Sequence, residues 1–206
     1  MDCSRTYLYT TITRNFFLLT SITSYYLLEP RNEKLTAFPK GFEMLAGDTY
    51  QRNFTWPVPD IEKSLWVNDP AMGSQSFLKQ WALGFNCLNY NIAPEPALNR
   101  HFFPDKNFLD GKCTQGVRLE IMFPSCWDGK NLAGVNGDKH SHMAYPSLGN
   151  TGTCPEGFPV KMPQLFYESI WNTFEFKGQD GQFVFANGDP TGRFKQYLNH
   201  SNTIVN

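Results

Sequence analysis

Residues 123–147 read FPSCWDGKNLAGVNGDKHSHMAYPS, and this one stretch holds two of the chain's four histidines together with Asp138, Lys139 and Cys126. In an extended segment, side chains two apart share a face, so Asp138, His140 and His142 would project together. Two imidazoles and a carboxylate are a plausible ligand set for a divalent metal, the only cofactor that the residues suggest. The plainer alternative is a polar turn whose histidines pair with backbone groups, because a metal site needs geometry as well as a ligand count.

A second set is built from carboxylates. Arg118 and Glu120 fall on one face of VRLEIMF, and Glu168 lies between Phe166 and Ile170 in QLFYESIW. Burial there would raise the Glu168 carboxyl pKa and keep it protonated as a general acid. With Asp128 or Asp189 as the second carboxylate, it would form the pair that a glycosidase requires. An ordinary same-face ion pair between Arg118 and Glu120 is the competing reading, since structural ion pairs also perturb carboxylates. A third grouping, His142, Tyr145 and Arg118, would suit β-elimination on a uronic-acid polymer. Cys126 would need an exposed, electropositive setting to act as a nucleophile, and a disulfide explains it better. Trp127, Tyr145 and Trp171 would stack on sugar rings if they lined a groove.

The elements that must position these residues follow from periodicity. VRLEIMF at 117–123 alternates cleanly, with Val117, Leu119, Ile121 and Phe123 on one side and Arg118, Glu120 and Met122 on the other. QLFYESIW at 164–171 alternates likewise, and a third strand runs from 181 into the turn NGDPTG. The run YYLL predicts a buried strand, FPKGFEMLAGD at 38–48 a strand between turns, and SFLKQWALG at 76–84 a short helix stopped by Gly84. Residues 51–75 read as loop, and 86–116 as a long irregular connection punctuated by prolines. The pattern predicts a mainly β fold, an antiparallel, jelly-roll-like β-sandwich with long loops and one or two short helices.

With 206 residues, the chain has room for one domain and one core. Its 18 basic and 19 acidic residues nearly cancel and form no long run, so the field needed for nucleic-acid binding is missing. The apolar stretch near the N-terminus is diluted by Thr20, Ser21, Thr23 and Ser24 and falls short of the ~20 residues of a membrane span, so no membrane partner is expected. Cys3, Cys87, Cys113, Cys126 and Cys154 show no C-x-x-C spacing. Four of them suit two disulfides, and of the three pairings the neighbours in order, 87 with 113 and 126 with 154, close the shorter loops. The sequons at Asn53 and Asn199 agree with a secretory route.

FPKGFEMLAGD, FPSCWDGKN, SHMAYPS, PQLFYESIW and NGDPTG, in this order, resemble the fungal secreted family called domain of unknown function 1996 (DUF1996), whose members often carry WSC carbohydrate-binding modules. The quoted motifs span roughly residues 25–192. They leave 1–24 as a divergent N-terminal segment and 193–206 as a divergent tail. The resemblance implies an extracellular or cell-wall protein with disulfides and, as partner, a cell-wall or plant polysaccharide; it assigns no reaction. Where the family usually reads Asp-His-Lys-Ser-His, this chain has Asp138, Lys139, His140, Ser141 and His142, so the inner pair is transposed. Family elements expected before residue 25 and after 192 are also not matched. The expectation is an incomplete copy with weak or no hydrolase or lyase activity, and the alternative is a non-catalytic wall or stress-associated structural protein.

Overall fold

The computed structural model describes residues 8–9, 19–28, 34–48, 50–51, 64–65, 71–135 and 138–185. Cys3, both sequons and the NGDPTG turn with Asp189 lie outside the described residues. In chain order the elements are β1 (Leu8–Tyr9), β2 (Leu19–Leu27), α1 (Gln75–Trp81), β3 (Leu83–Cys87), α2 (Lys106–Lys112), β4 (Val117–Met122), β5 (Cys126–Trp127), β6 (Met143–Ala144), β7 (Val160–Lys161), β8 (Gln164–Trp171) and β9 (Val184–Phe185). The chain is mainly β and every strand pair is antiparallel, as the sequence pattern predicts.

The main sheet has the order β2-β8-β4-β3, and a three-stranded sheet, β6-β5-β7, follows it. Register decides which side chains share a face. Glu120 lies opposite Gly84 on β3 and Glu168 on β8, while Arg118 lies opposite Asn86 and Ile170. Because directly opposed residues point the same way, Arg118, Glu120 and Glu168 project together. At one end of this face Met122 and Phe166 pack with Phe77, Leu78 and Trp81 of α1. On the opposite face Phe85, Val117, Leu119 and Trp171 pack with Leu109 of α2. Beside them, Leu165, Ile121 and Tyr167 meet Phe38, Met44 and Ala46 of the segment before α1.

Both helices begin on side-chain caps. Ser74 accepts the Phe77 N–H at the start of α1, and Asp105 accepts that of Phe108 at 2.8 Å at the start of α2. α2 interrupts the stretch predicted to be irregular. Its signal is the Pro104-Asp105 start, reinforced by the Lys106–Asp110 ion pair one turn apart at 2.5 Å.

Gly84 does not stop α1, which ends at Trp81; it sits inside β3. A Cβ there would lie 2.5 Å from Glu120 Oε2, so the glycine is required by the buried carboxylate across the sheet. Residues 38–48 form no strand, because Pro39 and the positive-φ Gly41 break the extended path. The segment is nevertheless anchored, with Glu43 N–H bonded to Leu132 O at 2.8 Å and Leu45 N–H to Lys139 O at 3.1 Å. Tyr25, Tyr26 and Leu27 of YYLL do belong to a strand, but a largely exposed one, and Leu28 lies just past its end. β2 is the edge of its sheet, and Ile22 and Tyr26 are 46% and 64% exposed.

The disulfides are Cys87–Cys113 and Cys126–Cys154. The first joins the end of β3 to the end of α2, and the second ties β5 to the loop before β7.

Candidate functional site

Arg118 is wedged between two carboxylates. Its Nε lies 2.8 Å from Glu120 Oε1 and 3.4 Å from Glu168 Oε1, and its Nη2 lies 2.7 Å from Glu120 Oε1. The Glu120 side chain is wholly buried. Its Oε2 accepts the Leu98 N–H at 2.6 Å, and Asn86 Nδ2 donates to Oε1 at 3.2 Å. Leu98 has φ 56°, a left-handed conformation that costs a leucine about 1–3 kcal/mol and is held here by that bond. Burial raises the Glu120 pKa above its ordinary value, outweighing the Leu98 amide and the Arg118 charge that lower it. Glu168 pairs with Arg118 and also accepts from Tyr25 Oη at 3.2 Å, and its charge is the main reason the Tyr25 pKa rises.

This cluster braces β4, β8 and the Leu98 loop. A retaining glycosidase places its carboxyl groups about 5–5.5 Å apart with the anomeric carbon between them. Here the Arg118 guanidinium is bonded to both carboxylates. Asp128 does not join the cluster; its carboxylate accepts the N–H groups of Lys130 and Asn131 at 2.8 and 3.0 Å in a tight turn. Burial pushes the Asp128 pKa up, but those amides together bring it below the ordinary value.

Tyr145 is buried, and its hydroxyl donates to Met122 O at 2.8 Å and accepts Gly47 N–H at 2.9 Å. Desolvation drives its pKa upward, the wrong direction for a base. Gln75 brackets its backbone with bonds of 2.8 and 2.9 Å, so Tyr145 clamps α1 and residues 46–48 to the end of β4. His142 makes its ring contact with Phe42 instead, at 5.2 Å, so the β-elimination set of His142, Tyr145 and Arg118 is divided among three environments.

Residues 138–142 form a turn, and the strand-face argument for Asp138, His140 and His142 does not apply to them. Asp138 Oδ1 accepts the His140 N–H at 2.7 Å, and Met143 N–H returns to His140 O at 3.0 Å. His142 is 1% exposed, and neither of its ring nitrogens has a hydrogen-bond partner of good geometry. Burial lowers its pKa; the nearby Glu43 backbone, Asp128 and Asp138 pull the other way and are outweighed. Burial, with the charge of Lys79, lowers the pKa of His140 as well. Both rings are thus held neutral, but among the described residues no group of three His, Cys, Asp or Glu side chains is arranged to hold a metal ion.

A cleft of about 540 Å³ lies on the opposite face of the main sheet. Phe38, Phe42, Phe123 and Tyr167 line it together with Met44 and Leu165. Phe123 and Tyr167 pack at 5.0 Å between ring centres, and Phe38 and Phe42 at 5.6 Å. At the rim, Lys139 Nζ lies 2.6 Å from Glu43 Oε2, with the two side chains 43% and 54% exposed. The hydrogen bond from Lys139 and its charge hold the Glu43 carboxyl below its usual pKa.

Of the aromatic residues expected to meet sugar, Trp127, Tyr145 and Trp171 are all core, at 9%, 1% and 3% exposed. Of the rings that line the cleft, Phe123 and Tyr167 lie in the alternating strand patterns, whereas nothing in FPKGFEMLAGD signals that Phe38 and Phe42 fold against them.

A family model described as "Domain of unknown function (DUF1996)" matches residues 7–201, a wider span than the quoted motifs cover. No curated protein and no solved structure matches the chain.

Proposed function

We propose that this chain, which belongs to the DUF1996 family, is an extracellular domain that binds cell-wall or plant polysaccharide through its aromatic cleft without cleaving it. The observation that carries the reading is the lining, three half-buried aromatic rings, Phe38, Phe42 and Tyr167, packed over the core Phe123 below an accessible Glu43–Lys139 pair. A pyranose ring presents apolar C–H faces to aromatic surfaces while its edge carries hydroxyls, and the cleft offers matching parts in that arrangement. The volume falls within the roughly 300–1,000 Å³ of small-ligand sites. Two disulfides favour an oxidising, extracellular setting.

The non-catalytic half of the reading is supported by how the candidate catalytic groups are engaged. Arg118 separates Glu120 from Glu168, the Tyr145 hydroxyl is locked into two backbone bonds, and His142 is sealed beneath Phe42.

The test is sedimentation of the purified protein with insoluble cellulose, chitin and β-1,3-glucan, together with product analysis on the same polymers. Retention by at least one polymer without product is expected, and Phe42→Ala and Tyr167→Ala should lose that retention while keeping the wild-type circular dichroism spectrum. Sugar release abolished by Glu168→Gln would show an enzyme. Retention by no polymer would remove the binding reading.

A further inference from the structure

Resting on that reading of the cleft, we infer that the Glu43–Lys139 ion pair restricts the ligand to neutral glycans, excluding both uronate polymers and cationic amino-sugar polymers. Four features of the rim carry this.

The two charges sit 2.6 Å apart at the mouth of an otherwise apolar cleft, and both are about half exposed. A ligand that seats on Phe42 and Tyr167 must therefore meet them together. The ammonium only donates and the ionised carboxylate only accepts. A vicinal diol complements that pair, one hydroxyl accepting from Lys139 and its neighbour donating to Glu43, since adjacent hydroxyl oxygens stand about as far apart as Nζ and Oε2. A uronate drawn to Lys139 meets the Glu43 carboxylate at once, and a glucosaminium drawn to Glu43 meets Lys139. Either charged ligand has to break an existing ion pair and leave one member unmatched.

The surroundings do not tip this balance. The immediate chain neighbours of the lining residues add Lys40, Asp138 and Glu168; Lys40 is solvent-facing, Asp138 is spent on the turn, and Glu168 projects from the opposite face of the sheet, where it pairs with Arg118. No field of one sign is therefore built at the rim to draw in a polyelectrolyte. The remaining lining groups named above are apolar apart from the Tyr167 hydroxyl, so the rim pair is the principal charged discriminator that the cleft presents.

The experiment compares retention of the wild type, Glu43→Gln and Lys139→Met on neutral polymers (cellulose, chitin, β-1,3-glucan), on insoluble cross-linked polygalacturonate and on chitosan at a pH where chitosan is charged. Both substituted side chains are exposed at the rim, and unchanged thermal melting would verify the fold. The wild type should bind a neutral polymer at low and high salt alike. Glu43→Gln, which leaves Lys139 unopposed, should gain roughly fivefold in binding to polygalacturonate at low salt and lose that gain at high salt. Lys139→Met should gain similarly on chitosan. Wild-type preference for a charged polymer, abolished by Phe42→Ala, would overturn this inference while leaving the cleft reading intact. Neutral binding with no gain in either variant would also overturn it. Retention on none of these polymers would remove both.

Discussion

Replacing Arg118 by methionine isolates the electrostatics of the main sheet. Methionine keeps much of the apolar stem and removes the guanidinium that lies 2.8 Å from Glu120 and 3.4 Å from Glu168. The wholly buried Glu120 would then keep the Leu98 and Asn86 donors but no cation. Stripping the partner from a buried charge costs about 3–5 kcal/mol. Arg118 is itself largely covered, at 23% side-chain exposure, so the figure needs little reduction for solvent screening. For a chain of this size that is roughly a 6–20 °C fall in melting temperature.

The pH dependence carries the sign of the argument. The folded Glu120 pKa is already raised by burial, so the folded state holds this proton more tightly than the unfolded state does. Stability from this group is therefore greatest below the unfolded carboxyl value of 4.5 and is lost as pH rises through the higher folded value. Removing Arg118 raises the folded pKa further, so the penalty should be largest at pH ~8 and smaller at pH ~5, with each added pKa unit worth about 1.4 kcal/mol. Urea denaturation followed by tryptophan fluorescence at both pH values measures this. A companion Glu120→Gln change in the Arg118→Met background should restore part of the loss at the higher pH. A loss below about 1 kcal/mol, the size of an exposed pair, would refute the reasoning. So would an equal loss at the two pH values, or no recovery in the double variant.

Gly84→Ala should destabilise by about 1–3 kcal/mol in the same assay, since the new methyl would lie 2.5 Å from Glu120 Oε2 and 2.9 Å from Leu98 Cδ2. The lowered pKa of buried His142 means that stability is lost as pH falls below 6.5. His142→Leu should therefore flatten the stability profile on that side and gain about 1–2 kcal/mol in acid, with a residual slope from His140, which shifts the same way. Changing Cys126 and Cys154 together to serine opens a loop of 28 residues' separation and should cost about 3–4 kcal/mol by chemical denaturation.

Strands β4 and β8 were readable because VRLEIMF and QLFYESIW alternate across a sheet covered differently on its two faces. The disulfide pairing was readable because the shorter loops are the ones closed. β3 was hidden because Gly84 carries two meanings, a helix stop in one dimension and room for a buried carboxylate in three. The apolar run at 38–48 suggested a strand, but Pro39 and Gly41 turn it into an irregular wall. Their spacing of two pairs Arg118 with Glu120 in the sequence, whereas Glu168 joins them only through the register that sets it opposite Glu120. The cleft is less local still. Phe42, Phe123, Lys139 and Tyr167 come from separate segments, and the bonds from Glu43 to Leu132 and from Leu45 to Lys139 bring two of those segments together. The histidines misled because their spacing suits a strand, while Asp138 folds the segment into a turn.

The most direct measurement is hydrogen exchange of the intact protein with and without saturating cellohexaose or chitohexaose. The account predicts slowed exchange concentrated in residues 38–44, around Lys139 and across 165–167, with the Arg118–Glu168 face unchanged. Protection centred on Arg118, Glu168 and Tyr25, or none with either oligosaccharide, would contradict it.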